Sequence, residues 1–272
     1  MPAITQAQRF FFEANGYLVI EDALSPEQLE RVRAASDAAE ERWRADPELP
    51  GVRRWDLDQV IAIMEYDPVF VETMLNPRVF PIVRDIMGPD VNILDHDYFI
   101  TPEGATIHKG WHYDEGFPGV YHPRSQLMLK VFYVLQDIPD NGGGTVMLPG
   151  SHAFLPEVEL PNTEVPEEMP SSVRMCLPAG SAYLMHGRVF HCVGNNLSDL
   201  KRRLLIYTYG HKWMKVWDGY APSDRLKAQA TTPMLRQLLG LTDPYGPNAP
   251  YEEGEEDPAA AEAAEPLQAV EA

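Results

Sequence analysis

Two histidines and an aspartate in this sequence have the chemical types that bind a redox metal. His112 and Asp114 lie two residues apart, and His191 follows much later in the chain. Side chains two apart on an extended backbone point to the same face, so His112 and Asp114 can bind one ion. Two neutral imidazoles and one carboxylate form the facial triad of mononuclear non-haem iron(II), which leaves open coordination positions. The pattern predicts an iron site whose open positions take a 2-oxo acid and O2.

An arginine beyond the second histidine could anchor that 2-oxo acid. Arg202 follows Asn196 and Ser198 and leads into the strand-like run Leu204–Tyr209. A guanidinium can donate two parallel hydrogen bonds to one carboxylate. We therefore expect Arg202 to bind the distal carboxylate of a dicarboxylic 2-oxo acid.

Two of these assignments have a rival close by in the chain. His186 is an alternative to His191 as the second imidazole ligand, and Arg203 is an alternative to Arg202. Because neighbouring side chains on a strand point to opposite faces, only one of the two arginines can enter a barrel. A His-x-Asp pair also arises by chance, so the prediction depends on the metal ligands and the arginine together.

Lys130 and Thr145 are further candidates for binding the cosubstrate. Lys130 lies inside Leu127–Leu135, an otherwise apolar strand-like run. Lysine is rarely buried without a partner, so Lys130 is either an edge residue with its amine in water or a cation that binds a ligand. Thr145 follows a glycine-rich hairpin and either hydrogen-bonds the cosubstrate or packs in the core.

The remaining histidines and the aromatic residues around the His-x-Asp pair carry weaker signals. Four histidines have no partner at metal-ligand spacing and are expected to be ordinary buried or surface residues: His96, His108, His122 and His211. Four aromatic residues either form the wall of a substrate pocket or belong to the core: Trp111, Tyr113, Phe117 and Tyr121.

The N-terminal part of the chain carries clear helix signals. A helical pattern begins at Thr5 and ends at Gly16, and Tyr17–Ile20 has the composition of a strand. Ser25, followed by a proline and then a glutamine at the capping-box position, predicts the start of a second helix. Another helical region covers roughly 68–87 and ends at Gly88-Pro89.

From Val91 onward the pattern favours β-structure. Short apolar or alternating runs, separated by turn residues, cover 91–100, 127–135, 144–148, 173–177, 181–185 and 203–209. Many short strands predict an antiparallel sandwich or barrel. We expect one domain over 1–245, with a helical part (1–90), a β core (91–210) and C-terminal helices (211–245). The acidic segment 246–272 is expected to be disordered.

Composition limits the class of partner. The formal net charge of −19 disfavours nucleic acid and anionic membrane surfaces, so we expect a small-molecule substrate. No stretch approaches the ~20 apolar residues that cross a bilayer, and no secretory signal is recognisable. The two cysteines, Cys176 and Cys192, form no disulfide framework. These features predict a cytoplasmic protein; its oligomeric state has no sequence signature.

The sequence resembles the phytanoyl-CoA dioxygenase family over nearly the whole chain up to about residue 220. The segments that carry the resemblance are Phe12–Ile20, Leu24–Gln28, Met87–Asp90, His112 with Asp114, Asp140–Gly144, Pro149–His152 and the spacing from His191 to Arg202. The resemblance implies a mainly β double-stranded β-helix (jelly roll) with flanking helices. It also implies iron(II) on His112, Asp114 and His191, 2-oxoglutarate on Arg202, and a structural place for His152.

The resemblance further implies the class of reaction. Related halogenases carry a small residue where this chain has Asp114, so hydroxylation is the expected outcome. Desaturation, epimerisation or ring closure would use the same metal ligands. Two alternatives come from other functional classes. One is a jelly roll that binds a ligand without turnover, and the other is a zinc enzyme with the same ligands.

Overall fold

A computed structural model describes residues 3–54, 56–106, 110–115, 126–155, 158–161, 163 and 165–251. Its helices are α1 (Gln6–Asn15), α2 (Pro26–Ala45), α3 (Val69–Met74), α4 (Phe80–Met87), α5 (Asp224–Ala228) and α6 (Pro233–Leu238). Its strands are β1 (Tyr17–Ile20), β2 (Gly51–Arg53), β3 (Asp58–Ile61), β4 (Val91–Thr101), β5 (Leu129–Val134), β6 (Thr145–Met147), β7 (Val173–Arg174), β8 (Ala182–His186), β9 (His191–Val193) and β10 (Arg202–His211). Short 3-10 helices cover Ile63–Glu65, Ser151–Ala153 and Pro166–Glu168.

The strands form two antiparallel sheets that face each other. The large sheet has the order β1-β8-β5-β10-β4-β3-β2, and the small sheet has the order β7-β6-β9. One apolar cluster joins their inner faces, with Phe132 and Tyr183 from the large sheet and Met147 from the small one. Two packed antiparallel sheets with helices outside are the architecture of a jelly roll, so the expected fold class is confirmed.

The helices cover the outer face of the large sheet. A second apolar cluster packs residues of α2, α3, α4 and α6 against β4, β5 and β10. Tyr133, Tyr207 and Tyr209 on that face each donate a hydroxyl hydrogen bond to a backbone carbonyl of α3, at 3.1, 2.5 and 2.7 Å. The carbonyls near a helix end lack partners within the helix, so these tyrosines both satisfy α3 and fix its position on the sheet.

The helix starts predicted from sequence are confirmed. Thr5 caps α1 and Ser25 caps α2, each with a complete capping box. Gly16 ends α1 in the left-handed conformation, with φ of 78°. The helical region expected over 68–87 contains α3 and α4, separated by a turn.

Other expectations about elements were wrong. The strand expected over Tyr17–Ile20 is β1, but the region 1–90 also contains β2 and β3 of the large sheet. Residues 212–223 contain no helix, although the helical part was expected to begin there. Three short strands, β2, β3 and β9, were not predicted; each is three or four residues long and is defined by its partner rather than by its own pattern.

The first residues of the segment expected to be disordered are ordered. Ala249 donates its backbone N–H to Gln237 of α6 at 2.8 Å, and the ring of Tyr251 lies 5.2 Å from that of Phe80. Residues up to 251 therefore pack on the helical layer, and the rest of the predicted tail lies outside the described residues. Within the described part of the chain, every helix falls short of the length and apolar character that a bilayer requires.

Candidate metal centre

His112, Asp114 and His191 come together between the two sheets. One ligand atom from each lies within 4.8 Å of the others. Nε2 of His112 is 3.6 Å from Asp114 Oδ1, and Nε2 of His191 is 3.4 Å from Asp114 Oδ2. Ligands that each lie about 2 Å from a single ion have separations of this order. The three side chains can therefore hold one metal ion.

The backbone holds the two histidines side by side. His112 and His191 form an antiparallel bridge, in which each N–H donates to the carbonyl of the other at 2.9 and 3.0 Å. His191 is the first residue of β9, whereas His112 lies in no strand, and the chain bends at Asp114. The extended geometry expected for the His-x-Asp pair is thus limited to one bridge, and the bend brings the carboxylate to the imidazoles.

Backbone carbonyls orient both imidazoles. Nδ1 of His112 lies 3.0 Å from the Gly110 carbonyl, and Nδ1 of His191 lies 2.9 Å from the Val189 carbonyl. A carbonyl only accepts, so each Nδ1 carries the proton and each Nε2 presents its lone pair to the centre. Burial lowers the pKa of His191 to about 4, despite the opposing effect of Asp114. His191 is therefore a neutral potential ligand at physiological pH.

The buried polar atoms of this centre fit a cation. Among the described residues, His112 Nε2 and Asp114 Oδ2 have no hydrogen-bond partner. Burial by itself would raise the pKa of Asp114, but Lys130, His191 and His112 together hold it well below its ordinary value. An ionised carboxylate beside two imidazole Nε2 atoms is the donor set that divalent iron prefers.

Lys130 is half-buried on an internal strand, so its first alternative, an edge position in water, was wrong. It lies on β5, between β8 and β10, and its Nζ is 3.3 Å from Asp114 Oδ2. Burial disfavours its charge, but Asp114 and Asp95 more than offset this and raise its pKa. Asp95 also accepts a hydrogen bond from the Thr208 hydroxyl at 2.7 Å. Neither Asp95 nor Thr208 was singled out from sequence, although an aspartate inside the apolar run 91–100 was a visible signal.

Arg202 and Thr145 lie deeper between the sheets. Arg202 is 3% exposed, donates from Nη1 to the Gly143 carbonyl at 2.7 Å, and leaves Nε without a partner in the described structure. Burial lowers its pKa to about 10, so it remains charged at pH 7. Thr145 Oγ1 is 2.8 Å from the hydroxyl of Tyr183, a residue that sequence reasoning missed because tyrosine in a strand is ordinary. The Nε–H of Arg202 can therefore donate a hydrogen bond to an anionic group.

The rival residues point away from this centre. Arg203 donates from Nε to the Tyr98 hydroxyl at 2.6 Å and pairs with Asp37 of α2, on the helical side of the sheet. His186 ends β8, and its Nδ1 accepts from the Arg188 N–H at 3.0 Å. The ring of His186 lies 5.2 Å from that of His152, which in turn contacts the Glu13 carbonyl of α1. Neither rival is in the metal-ligand group.

The other candidates have ordinary surroundings or lie outside the described residues. His96 is buried and accepts a hydrogen bond from the Met64 N–H at 3.2 Å. Trp111 and Tyr113 both pack on Phe190, with ring centroids 5.3 and 4.8 Å apart. The residues outside the described part are His108, His122, Phe117 and Tyr121.

Comparison with known proteins identifies the family. The model of the phytanoyl-CoA dioxygenase (PhyH) family matches residues 12–204. The ectoine dioxygenase of Stutzerimonas stutzeri is 24% identical over 74% of this chain and 74% of its own length.

Solved structures share the fold. The 2-oxoglutarate-dependent carbocyclase SnoK from nogalamycin biosynthesis has a TM-score of 0.63 at 21% identity, covering 78% of this chain and 87% of that protein. HygX from Streptomyces hygroscopicus, solved with nickel and 2-oxoglutarate bound, has a TM-score of 0.64 at 18% identity, covering 79% and 90%. The family match covers β1 to β9 and the metal-ligand group. The chain therefore belongs to the phytanoyl-CoA dioxygenase (PhyH) family of enzymes that use iron(II), 2-oxoglutarate and O2.

Proposed function

We propose that His112, Asp114 and His191 hold the iron(II) and that the enzyme hydroxylates a C–H bond of a small organic molecule. The observation that carries this proposal is the convergence of two imidazole nitrogens and one ionised carboxylate, whose ligand atoms lie within 4.8 Å of one another. In this reaction 2-oxoglutarate loses CO2 and becomes succinate. One oxygen atom of O2 enters succinate and the other enters the substrate, so the two-electron oxidation of each balances the reduction of O2.

The chain's own residues bind and orient the reactants. When bound, iron(II) supplies the activation of O2. Arg202 would bind the distal carboxylate of 2-oxoglutarate through its free Nε–H, and Thr145 would stand beside the cosubstrate. Lys130 holds the Asp114 carboxylate in place. The apolar cluster between the sheets, which includes Phe132, excludes bulk water from the reacting groups.

Asp114 also limits the outcome of the reaction. A carboxylate ligand fills the position that a halogenase leaves to chloride, so hydroxylation rather than halogenation is the proposed result. SnoK, described as a carbocyclase, has the same fold, and ring closure would require no change in the three ligands. We place the enzyme in the cytoplasm, because neither Cys176 nor Cys192 forms a disulfide within the described part of the chain and the net charge is strongly negative.

A turnover assay tests the function. Purified enzyme with iron(II), 2-oxoglutarate and O2 should form succinate, and His112→Ala should lower that rate by at least about a hundredfold because a ligand is lost. His186→Ala is the matched control, since it removes a buried histidine outside the ligand group and should keep the rate. Circular dichroism establishes that both variants are folded.

Two results would contradict the proposal. Succinate formation that survives His112→Ala in a folded variant would remove the assigned metal site. Turnover that requires zinc, at a rate independent of both O2 and 2-oxoglutarate, would make the protein a hydrolase or isomerase. Mass spectrometry of the substrate product then separates hydroxylation, a gain of one oxygen, from desaturation, a loss of two hydrogens, and from epimerisation, which leaves the mass unchanged.

A further inference from the structure

A cleft at one end of the large sheet has the size of a small-molecule site. Its volume is about 550 Å³, within the range of ligand pockets in proteins. The described residues that line this Trp213 cleft are Leu127, Trp213, Met214, Lys215, Val216, Trp217 and Asp218. The lining is mainly apolar and contains two indole rings, of which Trp213 is half exposed.

The Trp213 cleft lies at the same end of β5 and β10 as Lys130. Leu127 lies three residues before Lys130, whose Nζ is 3.3 Å from Asp114. Three residues of extended chain span about 10 Å, which is close to the length of two or three fused rings. On the neighbouring strand Thr208, which pairs with Lys130, is followed three residues later by His211 and then by the cleft wall.

Hydrogen bonds fasten the wall of the cleft over the inner side of the sheet. The Trp217 N–H donates to the Leu94 carbonyl at 3.3 Å. The Tyr220 hydroxyl donates to the Asp97 carboxylate at 2.9 Å. Asp97 is on the same face of β4 as Asp95, and the charge of Asp95 helps to raise the pKa of Lys130. The wall of the cleft is therefore attached to β4, the strand that also carries Asp95.

The charges of the cleft favour an uncharged ligand. Among the lining residues that the structure describes, Lys215 is the one cation, and it pairs with Asp218 at 2.7 Å. The cations that an anionic cosubstrate needs, Arg202 and Lys130, lie inside the barrel instead. A coenzyme A thioester would bring several phosphate charges to a wall whose one described cation, Lys215, is balanced by Asp218.

We propose that the Trp213 cleft binds the flat, uncharged ring system of the substrate, and that the substrate is not a coenzyme A ester. This inference rests on the proposed function, because it places the ring beside the iron site. Stacking of the substrate ring on the exposed indole of Trp213 would orient the ring and bury its apolar surface. The ring carbon or substituent nearest Lys130 would then be the one that is oxidised.

Equilibrium dialysis with absorbing probes tests the proposal on the full chain loaded with iron(II) and 2-oxoglutarate under argon. The probes are 1,4-dihydroxyanthraquinone, which is uncharged, anthraquinone-2-sulfonate, which carries the same rings and a negative charge, and octanoyl coenzyme A. The uncharged quinone should bind about tenfold more tightly than the sulfonate. Trp213→Ala should weaken the quinone about tenfold, and Trp213→Phe should restore most of the affinity.

A matched control and a separate activity readout make the outcomes distinct. Phe10→Ala removes an aromatic ring of α1 that is 74% exposed and distant in sequence from the cleft, and it should leave quinone binding unchanged. Equal binding by wild type and Trp213→Ala, or tighter binding of octanoyl coenzyme A than of the quinone, would overturn the proposal. Succinate formation without added substrate should persist in Trp213→Ala; its absence from wild type would instead count against the proposed function.

Discussion

The first two residues of β10 are both arginines, but their side chains point to opposite faces of the sheet and have different chemical surroundings. Arg202 points between the sheets, is almost fully buried, and keeps one N–H without a partner in the described structure. Arg203 points to the helical side, where the Tyr98 hydroxyl and Asp37 hold it. Both carry a positive charge, but only Arg202 has an unused donor inside the barrel, so it alone is suited to a buried carboxylate.

A comparison of the two arginines tests this assignment. Arg202→Gln should raise the KM for 2-oxoglutarate about ten- to a hundredfold, because charge-assisted hydrogen bonds to the cosubstrate are lost. Arg203→Gln removes a partly exposed ion pair and should change that KM by less than about threefold. Succinate formation at varied 2-oxoglutarate measures both. An equal increase in the two variants would mean that general loss of charge, rather than a direct contact, is responsible.

At the residue scale, the sequence predicts ligand types better than it predicts their surroundings. The pattern that joins His112, Asp114 and His191 is visible in the sequence, because metal chemistry restricts the residue types. The contact between Asp95 and Thr208 joins positions separated by 113 residues, and only the pairing of β4 with β10 brings them together. The neighbours of Lys130 could not be predicted for the same reason.

At the scale of elements, local signals were predictable and partner-dependent ones were not. The capping boxes at Thr5 and Ser25 use residues within four positions of each other, so the sequence contains the whole interaction. β9 is only three residues long and is defined by its bonds to β6. Its burial and its role in presenting His191 come from the partner strand, which no local pattern reveals.

The junction of α1 and β1 is a sensitive point of the fold. Gly16 has φ of 78°, and a Cβ there would lie 2.5 Å from His152 Nδ1 and 2.6 Å from the Val189 side chain. Gly104 has a similar φ of 69° but open space around it. Gly104→Ala should cost about 1 kcal/mol for backbone strain alone, and Gly16→Ala should cost about 1–3 kcal/mol more. Urea unfolding measures both; equal losses would mean that the contact with His152 is not tight.

At the scale of the whole molecule, burial lowers the pKa of histidines and raises the pKa of carboxylic acids. Burial lowers the pKa of His96 and of His186 to about 3, so both are neutral in the folded protein at pH 7. Burial raises the pKa of Glu115 to about 7 and that of Asp97 to about 7. The histidines make the folded state less stable in acid, whereas the two acids make it less stable as the pH rises from about 4 to 7.

His96 offers a clean test of this linkage, because its Nδ1 accepts from the Met64 N–H, and an asparagine oxygen can do the same. An unfolded histidine takes up a proton near pH 6.5, whereas folded His96 does so only near 3. Between these limits the unfolded state binds more protons, so wild-type stability falls as the pH falls. The free energy of unfolding of wild type should therefore decrease by up to about 1.4 kcal/mol per pH unit more steeply than that of His96→Asn, measured by urea unfolding from pH 6 to 4. The raised acids are common to both proteins and cancel in the difference, so parallel pH profiles would show that His96 becomes protonated without unfolding.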